Sequence, residues 1–217
     1  MGECRFKIER KGWDLPFLAE AEELAGLRRV VRLHLRLWGL PDLVDLAQLC
    51  VTELVTNVIT HVGPGTPTTL AVSMNGAHLR LEVTDPDARA LPTLIAATGE
   101  AEGGRGMALV DAVTERWGVI PRGDSKITWC ELPTGLRSEG GHVENPQVAK
   151  AEALLTRHCG GVTPESQQCE RLSVAVAEEA AIDLIADLLH WLRAHGCDPD
   201  EALDRAQMYF EAEPGAG

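Results

Sequence analysis

One nine-residue stretch, Glu53 to His61, constrains this chain most, because it spaces three chemically capable side chains four residues apart. Its sequence is Glu-Leu-Val-Thr-Asn-Val-Ile-Thr-His. In a helix, Glu53, Asn57 and His61 would share one face. The opposite stripe is apolar and predicts an amphipathic helix packed on a core; it comprises Val51, Leu54, Val55, Val58, Ile59 and Val62.

The polar face of this helix has two interpretations, a solvated surface or the wall of a pocket. Solvated faces are usually filled with long Lys, Glu and Arg side chains, which favour helices. This face instead holds the weaker helix formers Thr52, Thr56, Asn57, Thr60 and His61. A carboxylate can orient or deprotonate a nucleophile, an amide oxygen can ligate Mg²⁺, and an imidazole can donate to phosphate. The composition therefore favours a nucleotide pocket.

A second motif is rich in glycine and comes before another predicted helix. Gly104, Arg105 and Gly106 precede a helix predicted from Met107 to Trp117. Glycines at such a place bring backbone N–H groups and a positive helix terminus towards an anion. We predict a phosphate cradle formed by these three residues and Met107, with a simple hinge as the alternative.

Together the two motifs resemble those of the GHKL ATPases and, among them, the anti-sigma regulatory serine/threonine kinases common in high-GC Gram-positive bacteria. Glu53 to His61 looks like the family's N box, and Gly104 to Val110 looks like its later glycine box. The resemblance covers Phe6 to Leu136. It implies an α/β two-layer sandwich of the Bergerat type, in which a mixed, mainly antiparallel sheet lies on one side and the nucleotide lies between the helices and a lid.

The resemblance also implies roles for individual residues. Glu53 would be the catalytic residue and would orient the acceptor hydroxyl, while Asn57 would ligate Mg²⁺. His61 and Arg105 would lie near the phosphates, and Asp85 would accept a hydrogen bond from the exocyclic amine of adenine. ATP and Mg²⁺ are thus the expected cofactors.

Asp85 ends the second of two alternating segments that flank Asn75-Gly76, which is the strongest short signal for a hairpin. In the family the first glycine box begins with this Asp. Here the sequence departs from the family pattern, because Asp87 stands where a glycine is expected. The alternative interpretation is an Asp that merely forms a turn before Pro86.

A final hairpin is predicted for residues 117–120 and 126–132, around Gly123-Asp124. Ile127 and Trp129 would share one face of its second strand, and the other face would place Thr128 near the base. Between the first hairpin and the glycine motif, residues 91–102 stand where the family has its ATP lid, and this lid would be short.

Before the helix that contains Glu53 to His61, the segment Arg5 to Arg10 alternates between apolar and polar residues like a short edge strand. Glu20 to Trp38 then predicts a helix that ends near Gly39. The side of this helix away from its apolar stripe carries Arg28, Arg29, Arg32 and Arg36. These arginines are either a solvated face or a basic patch for an acidic partner.

Charge and composition narrow the class of protein. The formal net charge of −13 disfavours a nucleic-acid surface, which needs clustered Lys and Arg. The start of the chain predicts no signal peptide, and we expect no apolar stretch near the ~20 residues of a membrane span. Six scattered cysteines without a Cys-x-x-Cys predict reduced thiols, no metal site and a cytoplasmic protein.

The acidity belongs to the C-terminal part of the chain. Residues 138–217 hold 5 basic and 15 acidic residues, a net charge of −10, whereas residues 1–137 hold 15 and 18, a net charge of −3. We therefore predict an ATP-binding domain at 1–136, a linker at 137–144 and an acidic three-helix domain at 145–217. The three helices would begin at Asn145-Pro146, Thr163-Pro164 and Asp198-Pro199. About 70 residues make a marginal independent core, so docking or a homodimer is an option.

Three functions fit these features. The first is a Mg-ATP-dependent serine/threonine kinase that phosphorylates an anti-sigma antagonist. The second is a binding module that uses ATP only to shape a surface for a sigma factor or another protein. The third is a protein whose motifs have decayed and whose C-terminal helices act alone.

Overall fold

The computed structural model describes residues 6–87, 105–142, 146–158 and 172–212. The chain forms two compact units. The larger unit runs from Glu9 to Val143, and the smaller unit combines Met1–Ile8 with Glu144–Gly217.

The elements follow one another in chain order. They are β1 (Phe6–Lys7), β2 (Trp13–Ala19), α1 (Glu23–Leu37), a 3-10 turn (Pro41–Leu43), α2 (Val44–His61), β3 (Thr66–Asn75), β4 (His78–Asp85), α3 (Arg105–Val113), β5 (Arg116–Arg122), β6 (Ser125–Pro133), α4 (Pro146–His158), β7 (Leu172–Ser173), α5 (Val174–Ala194) and α6 (Pro199–Ala212).

The larger unit is built on a five-stranded sheet in the order β2-β3-β4-β6-β5. Each neighbouring pair of these strands is antiparallel. One face of the sheet is buried in the core and carries Leu70, Val72, Leu79, Leu81, Val83, Cys130 and Leu132. Since α1 and α2 contribute to the same core, the predicted two-layer α/β sandwich is confirmed.

Helix α2 is the central helix of this core. Val51, Leu54, Val55 and Val58 are buried, so the predicted amphipathic pattern is confirmed. Within the described residues, Pro41–His61 is also the one helical stretch long and apolar enough to cross a membrane, judged by length and composition alone. The expectation that no apolar stretch approaches such a length was therefore wrong, although a helix buried in a core has the same composition.

The edge strand predicted at Arg5–Arg10 is confirmed only in part, because the segment contains the two-residue strand β1, which does not belong to the large sheet. The strand next to β3 is β2, and its residue Pro16 is tolerated because β2 lies at the sheet's edge. The backbone of Phe6–Lys7 instead pairs in parallel with Leu172–Ser173 in the smaller unit. An alternating pattern alone could not show which of two neighbouring segments, Arg5–Arg10 or Trp13–Ala19, forms the edge strand of the large sheet.

The helix predicted from Met107 to Trp117 is shorter at its C-terminal end, because α3 stops at Val113 and Trp117 lies in β5. The Thr114 hydroxyl donates to the Val110 carbonyl, and the Glu115 N–H donates to the carbonyl of Glu131. The backbone therefore enters the sheet immediately after the helix ends.

The described part of the smaller unit contains α4, α5 and α6 besides the β1–β7 pair, and α5 contacts both of the other helices. Asp198 caps α6 through hydrogen bonds from the N–H groups of Asp200 and Glu201. The predicted start of the middle helix at Thr163-Pro164 lies outside the described residues, and α5 itself begins only at Val174. Most large apolar side chains on these helices are exposed: Leu154, Ile182, Ile185, Leu188, Trp191, Met208, Tyr209 and Phe210.

Candidate nucleotide-binding site

The polar face of α2 is open to a ligand in the part of the chain that the structure describes. Glu53 and Asn57 are half-buried, and His61 is exposed as the last residue of the helix. No hydrogen bond or ion pair to these three side chains is seen among the described residues, whereas Thr52 donates to the Gln48 carbonyl. The face thus combines a carboxylate, an amide and an imidazole without engaging them in the fold.

The first turn of α3 lies directly against this face. A Cβ built on Gly106 would collide with the carboxylate of Glu53 and would lie 3.4 Å from its Cδ. Only glycine lets the two helices approach so closely without displacing that carboxylate. The N-terminal N–H groups of α3, which have no partner within their own helix, therefore begin beside Glu53.

The other residues of the glycine motif fall in different places. Arg105 is the first residue of α3, and Gly104 lies outside the described residues, as does the predicted lid at 91–102. Met107 is buried in the core, so its side chain anchors α3 and only its backbone could face a phosphate.

Asp85 ends β4 on the buried face of the sheet and is only 1% exposed. Its Oδ1 atom accepts a hydrogen bond from the Asp87 N–H at 3.0 Å and lies 3.1 Å from the Nζ atom of Lys126. Its Oδ2 atom is buried and has no hydrogen-bond partner among the residues that the structure describes. Burying an acceptor without a donor costs about 1 to 3 kcal/mol. A ligand that donates to Oδ2 would remove this cost, and the exocyclic amine of adenine is such a donor.

Lys126 is a site residue that the sequence reasoning missed. It stands opposite Asp85 in the register of β4 and β6 and is 2% exposed. Its Nζ atom also donates to the Asp87 carbonyl at 2.9 Å. The signal was available, because alternation from Leu132 back along β6 puts residue 126 on the buried face.

Thr128 lies two residues further along β6, on the same buried face as Lys126 and opposite Val83. The neighbouring Trp129 points to the other face, where the Arg80 guanidinium stacks over its ring. The structure thus brings Thr128 and Asp85 onto one face, and it brings Glu53 and Gly106 into contact. These two groups would suit the base and the phosphates of a nucleotide, respectively.

Among the described residues, no cluster of three or more His, Cys, Asp or Glu side chains is arranged to hold a metal ion. Cys50, Cys130 and Cys197 are free thiols. The Cys130 thiol donates a hydrogen bond to Cys50, and this hydrogen bond, together with burial, raises the pKa of Cys130. Both thiols of this core pair are buried, so they belong to the packing of α2 on β6.

A two-layer sandwich in which a polar helix face lies beside a glycine-led helix is the arrangement of an ATP-binding domain of the histidine kinase type. Residues 17–128 match the histidine kinase-like ATPase domain, and since this is more than half of the chain, the chain belongs to that family. It therefore carries an ATP-binding domain.

The chain is also similar to a protein from Streptomyces coelicolor, and this similarity adds no function. This uncharacterized protein is 47% identical over 87 residues, which are 39% of this chain and 82% of the relative. The chain thus spans most of the relative's length, and the remaining part of this chain has no counterpart in that alignment.

Proposed function

We propose that this chain is an ATP-binding regulatory protein that uses Mg-ATP to phosphorylate a partner protein, in the manner of the anti-sigma factor serine/threonine kinases. The observation that carries this proposal is the contact between Gly106 and the carboxylate of Glu53. This contact places the Glu53 carboxylate, which would act on the hydroxyl group of the partner, beside the helix terminus that would hold the phosphates.

Glu53 would accept a hydrogen bond from the hydroxyl group of the partner and orient it for transfer. Asn57, one turn along α2, would offer its amide oxygen to Mg²⁺. Mg²⁺ is usually held by one or two protein oxygens together with substrate phosphates, so this arrangement does not require a cluster of acidic residues. His61 and Arg105 would donate to phosphate oxygens.

Bound ATP supplies a γ-phosphoryl group that can be transferred. Such transfer depends mainly on positioning and on neutralising charge, with little covalent chemistry from the protein. A carboxylate, an amide and a helix terminus are therefore enough in kind for the reaction. Asp85 would hold the adenine through Oδ2, the oxygen that no described residue engages.

The partner would be a sigma factor or an anti-sigma antagonist with an acidic surface. On α1, the exposed residues include Arg29, Arg32 and Arg36 together with Leu33 and Leu37, of which Leu37 is 70% exposed. No ion pair is seen for these arginines within the described residues. A surface that mixes unpaired guanidinium groups with large apolar side chains suits an acidic, amphipathic protein segment.

The second candidate is a catalytically inactive module that binds ATP and sequesters a sigma factor or another protein. The exposed apolar side chains of α5 and α6 favour it, because an apolar surface of this kind marks a binding site or an oligomer interface. In this case ATP would shape the surface, and Glu53 would not act on a hydroxyl group. A homodimer through the same helices is compatible with either candidate.

ATP labelled in its γ-phosphate, mixed with the chain and a candidate partner, separates the two functions. A kinase transfers label to the partner, and Glu53→Gln abolishes transfer while ATP still binds. A binding module retains the partner in an ATP-dependent complex without label. Replacing Arg29, Arg32 and Arg36 with Gln should weaken the partner complex without changing ATP affinity. The matched control is Arg122→Gln on β5, which is also exposed.

A further inference from the structure

A closed set of polar contacts holds the turn that follows β4. The Nζ atom of Lys126 lies 3.1 Å from Asp85 Oδ1 and donates to the Asp87 carbonyl at 2.9 Å. The Asp87 N–H donates to the same Oδ1 atom at 3.0 Å. One ammonium group and one amide thus fix both the turn and the carboxylate.

These contacts make the two carboxylate oxygens of Asp85 inequivalent. The torsion that turns a carboxylate is broad and would by itself leave the oxygens interchangeable. Because both donors use Oδ1, the buried Oδ2 atom is left without a partner in the described part of the chain. The carboxylate is therefore held with one defined oxygen available for a ligand.

Lys126 also compensates for the glycine that the turn lacks at position 87. A glycine at position 87 would give the backbone freedom to bend towards a base, and this chain has Asp87 there. The hydrogen bond from Lys126 to the Asp87 carbonyl fixes the turn instead. The same ammonium group balances a carboxylate that would otherwise be buried as an unpaired charge.

We propose that Lys126 is a positioning residue that determines base specificity. It holds Asp85 so that Oδ2 accepts a hydrogen bond from the exocyclic amine of a 6-aminopurine, which makes that amine the group by which the site recognises its nucleotide. This inference rests on the proposed binding of ATP, and it adds a residue to the base site that acts through Asp85.

The test compares ATP with the triphosphate of purine riboside, which has the same ring system without the amine. The parent chain should bind ATP more tightly. Lys126→Met should lower the affinity for ATP by roughly tenfold, the scale of a hydrogen bond to a charged group, and leave the affinity for the purine analogue nearly unchanged. Lys126→Arg should lose less. An equal loss for both nucleotides, or no loss for ATP, would overturn the proposal.

Two further measurements keep the test decisive if Lys126→Met folds poorly. The double variant Asp85→Asn with Lys126→Met removes both charges together, and it should fold and bind the two nucleotides with similar affinity. If it still prefers ATP as strongly as the parent does, Lys126 does not set specificity. Without any nucleotide, hydrogen exchange at the Asp87 amide should be faster in Lys126→Met, and an unchanged rate would contradict the role of Lys126 in the turn.

These outcomes also separate this inference from the proposed function. A parent chain that binds no ATP refutes the proposed function and, with it, the recognition of the amine. A parent chain that binds ATP while Lys126→Met binds it equally well refutes the role of Lys126 alone.

Discussion

Gly106 in α3 lies so close to Glu53 in α2 that a methyl group on Gly106 would collide with the Oε2 atom of the Glu53 carboxylate. This contact joins the two motifs that the sequence separates by a hairpin and a loop. It fixes the start of a helix beside a carboxylate, which is the arrangement on which the proposed transfer depends.

Gly106→Ala should therefore reduce phosphoryl transfer more than it reduces stability. The methyl group would push the Glu53 carboxylate away from α3, although alanine itself favours a helix by up to about 1 kcal/mol. The matched control is Gly26→Ala in α1, where an added Cβ meets nothing within 4 Å. Label transfer and thermal unfolding of both variants test this, and equal transfer by both would contradict the importance of the contact.

Asp85→Asn should weaken ATP binding by roughly 1 to 3 kcal/mol, since it removes a charge-assisted hydrogen bond in a buried site. It should also lower stability, because Lys126 would remain buried without its anionic partner. Guanine nucleotides should be poor ligands of the parent chain. Calorimetric titration measures these affinities, with the exposed turn variant Asp124→Asn as control. Equal affinity of the parent for ATP and GTP would show that Asp85 does not distinguish the bases.

Glu131 offers a test of the sheet that does not involve the nucleotide. Its buried carboxylate accepts hydrogen bonds from Asn75, Arg80 and Arg116 on the other face of the sheet. Burial alone raises the pKa of Glu131, but these hydrogen bonds outweigh it, so the pKa lies below its ordinary value. A lowered carboxyl pKa gives stability above the unfolded pKa of about 4.3, and that stability is lost as pH falls through the folded pKa.

Glu131→Gln should consequently lower the free energy of unfolding by roughly 3 kcal/mol at pH near 7, because it leaves two guanidinium groups with a weaker acceptor. The difference from the parent should shrink on acidification through and below the folded pKa. Denaturant unfolding near pH 7 and at a pH below the folded pKa measures this difference, with Glu22→Gln as an exposed control. A difference that is the same at both pH values would be inconsistent with a lowered pKa.

The smaller unit should be separable from the ATP site. The chain cut before Asn145 keeps all five strands of the large sheet and α1, α2 and α3, so ATP affinity should be nearly unchanged. Loss of the exposed apolar surfaces of α5 and α6 should instead alter self-association or partner binding. Titration with ATP and light scattering compare the two chains. If ATP binding disappears while the shortened chain remains folded, the C-terminal helices complete the pocket.

The sequence predicts best what local chemistry decides. Asn75-Gly76 and Gly123-Asp124 indicate the two hairpins, and Gly76 and Gly123 both have φ near +60°, a conformation that glycine adopts readily. The faces of α2 follow from the same kind of local pattern. These features depend on residues close together in the chain, which is why one sequence was enough to find them.

The sequence does not predict the features that depend on contacts between segments far apart in the chain. The strand β2 contains Pro16, and only its place at the edge of the sheet explains why a proline is tolerated there. The pairing of Phe6–Lys7 with Leu172–Ser173 joins two segments that lie far apart in the chain. The contact of Lys126 with Asp85 needs the register between two separate hairpins, which neither hairpin specifies alone.

Asn57 provides the most direct test of the central claim, that the polar face of α2 binds Mg-ATP. Its side chain is half-buried on that face, and the core contacts of α2 lie on the opposite side. Asn57→Ala should therefore leave the fold intact. The control is Asp45→Ala, an exposed residue near the start of the same helix.

The measurement is ATP affinity with and without Mg²⁺ for the parent chain, Asn57→Ala and Asp45→Ala. The parent and Asp45→Ala should bind ATP more tightly when Mg²⁺ is present, and Asn57→Ala should lose that gain because it lacks the amide oxygen. If Asn57→Ala binds ATP as the parent does under both conditions, then Glu53, Asn57 and His61 are the surface of a helix and do not form a nucleotide site.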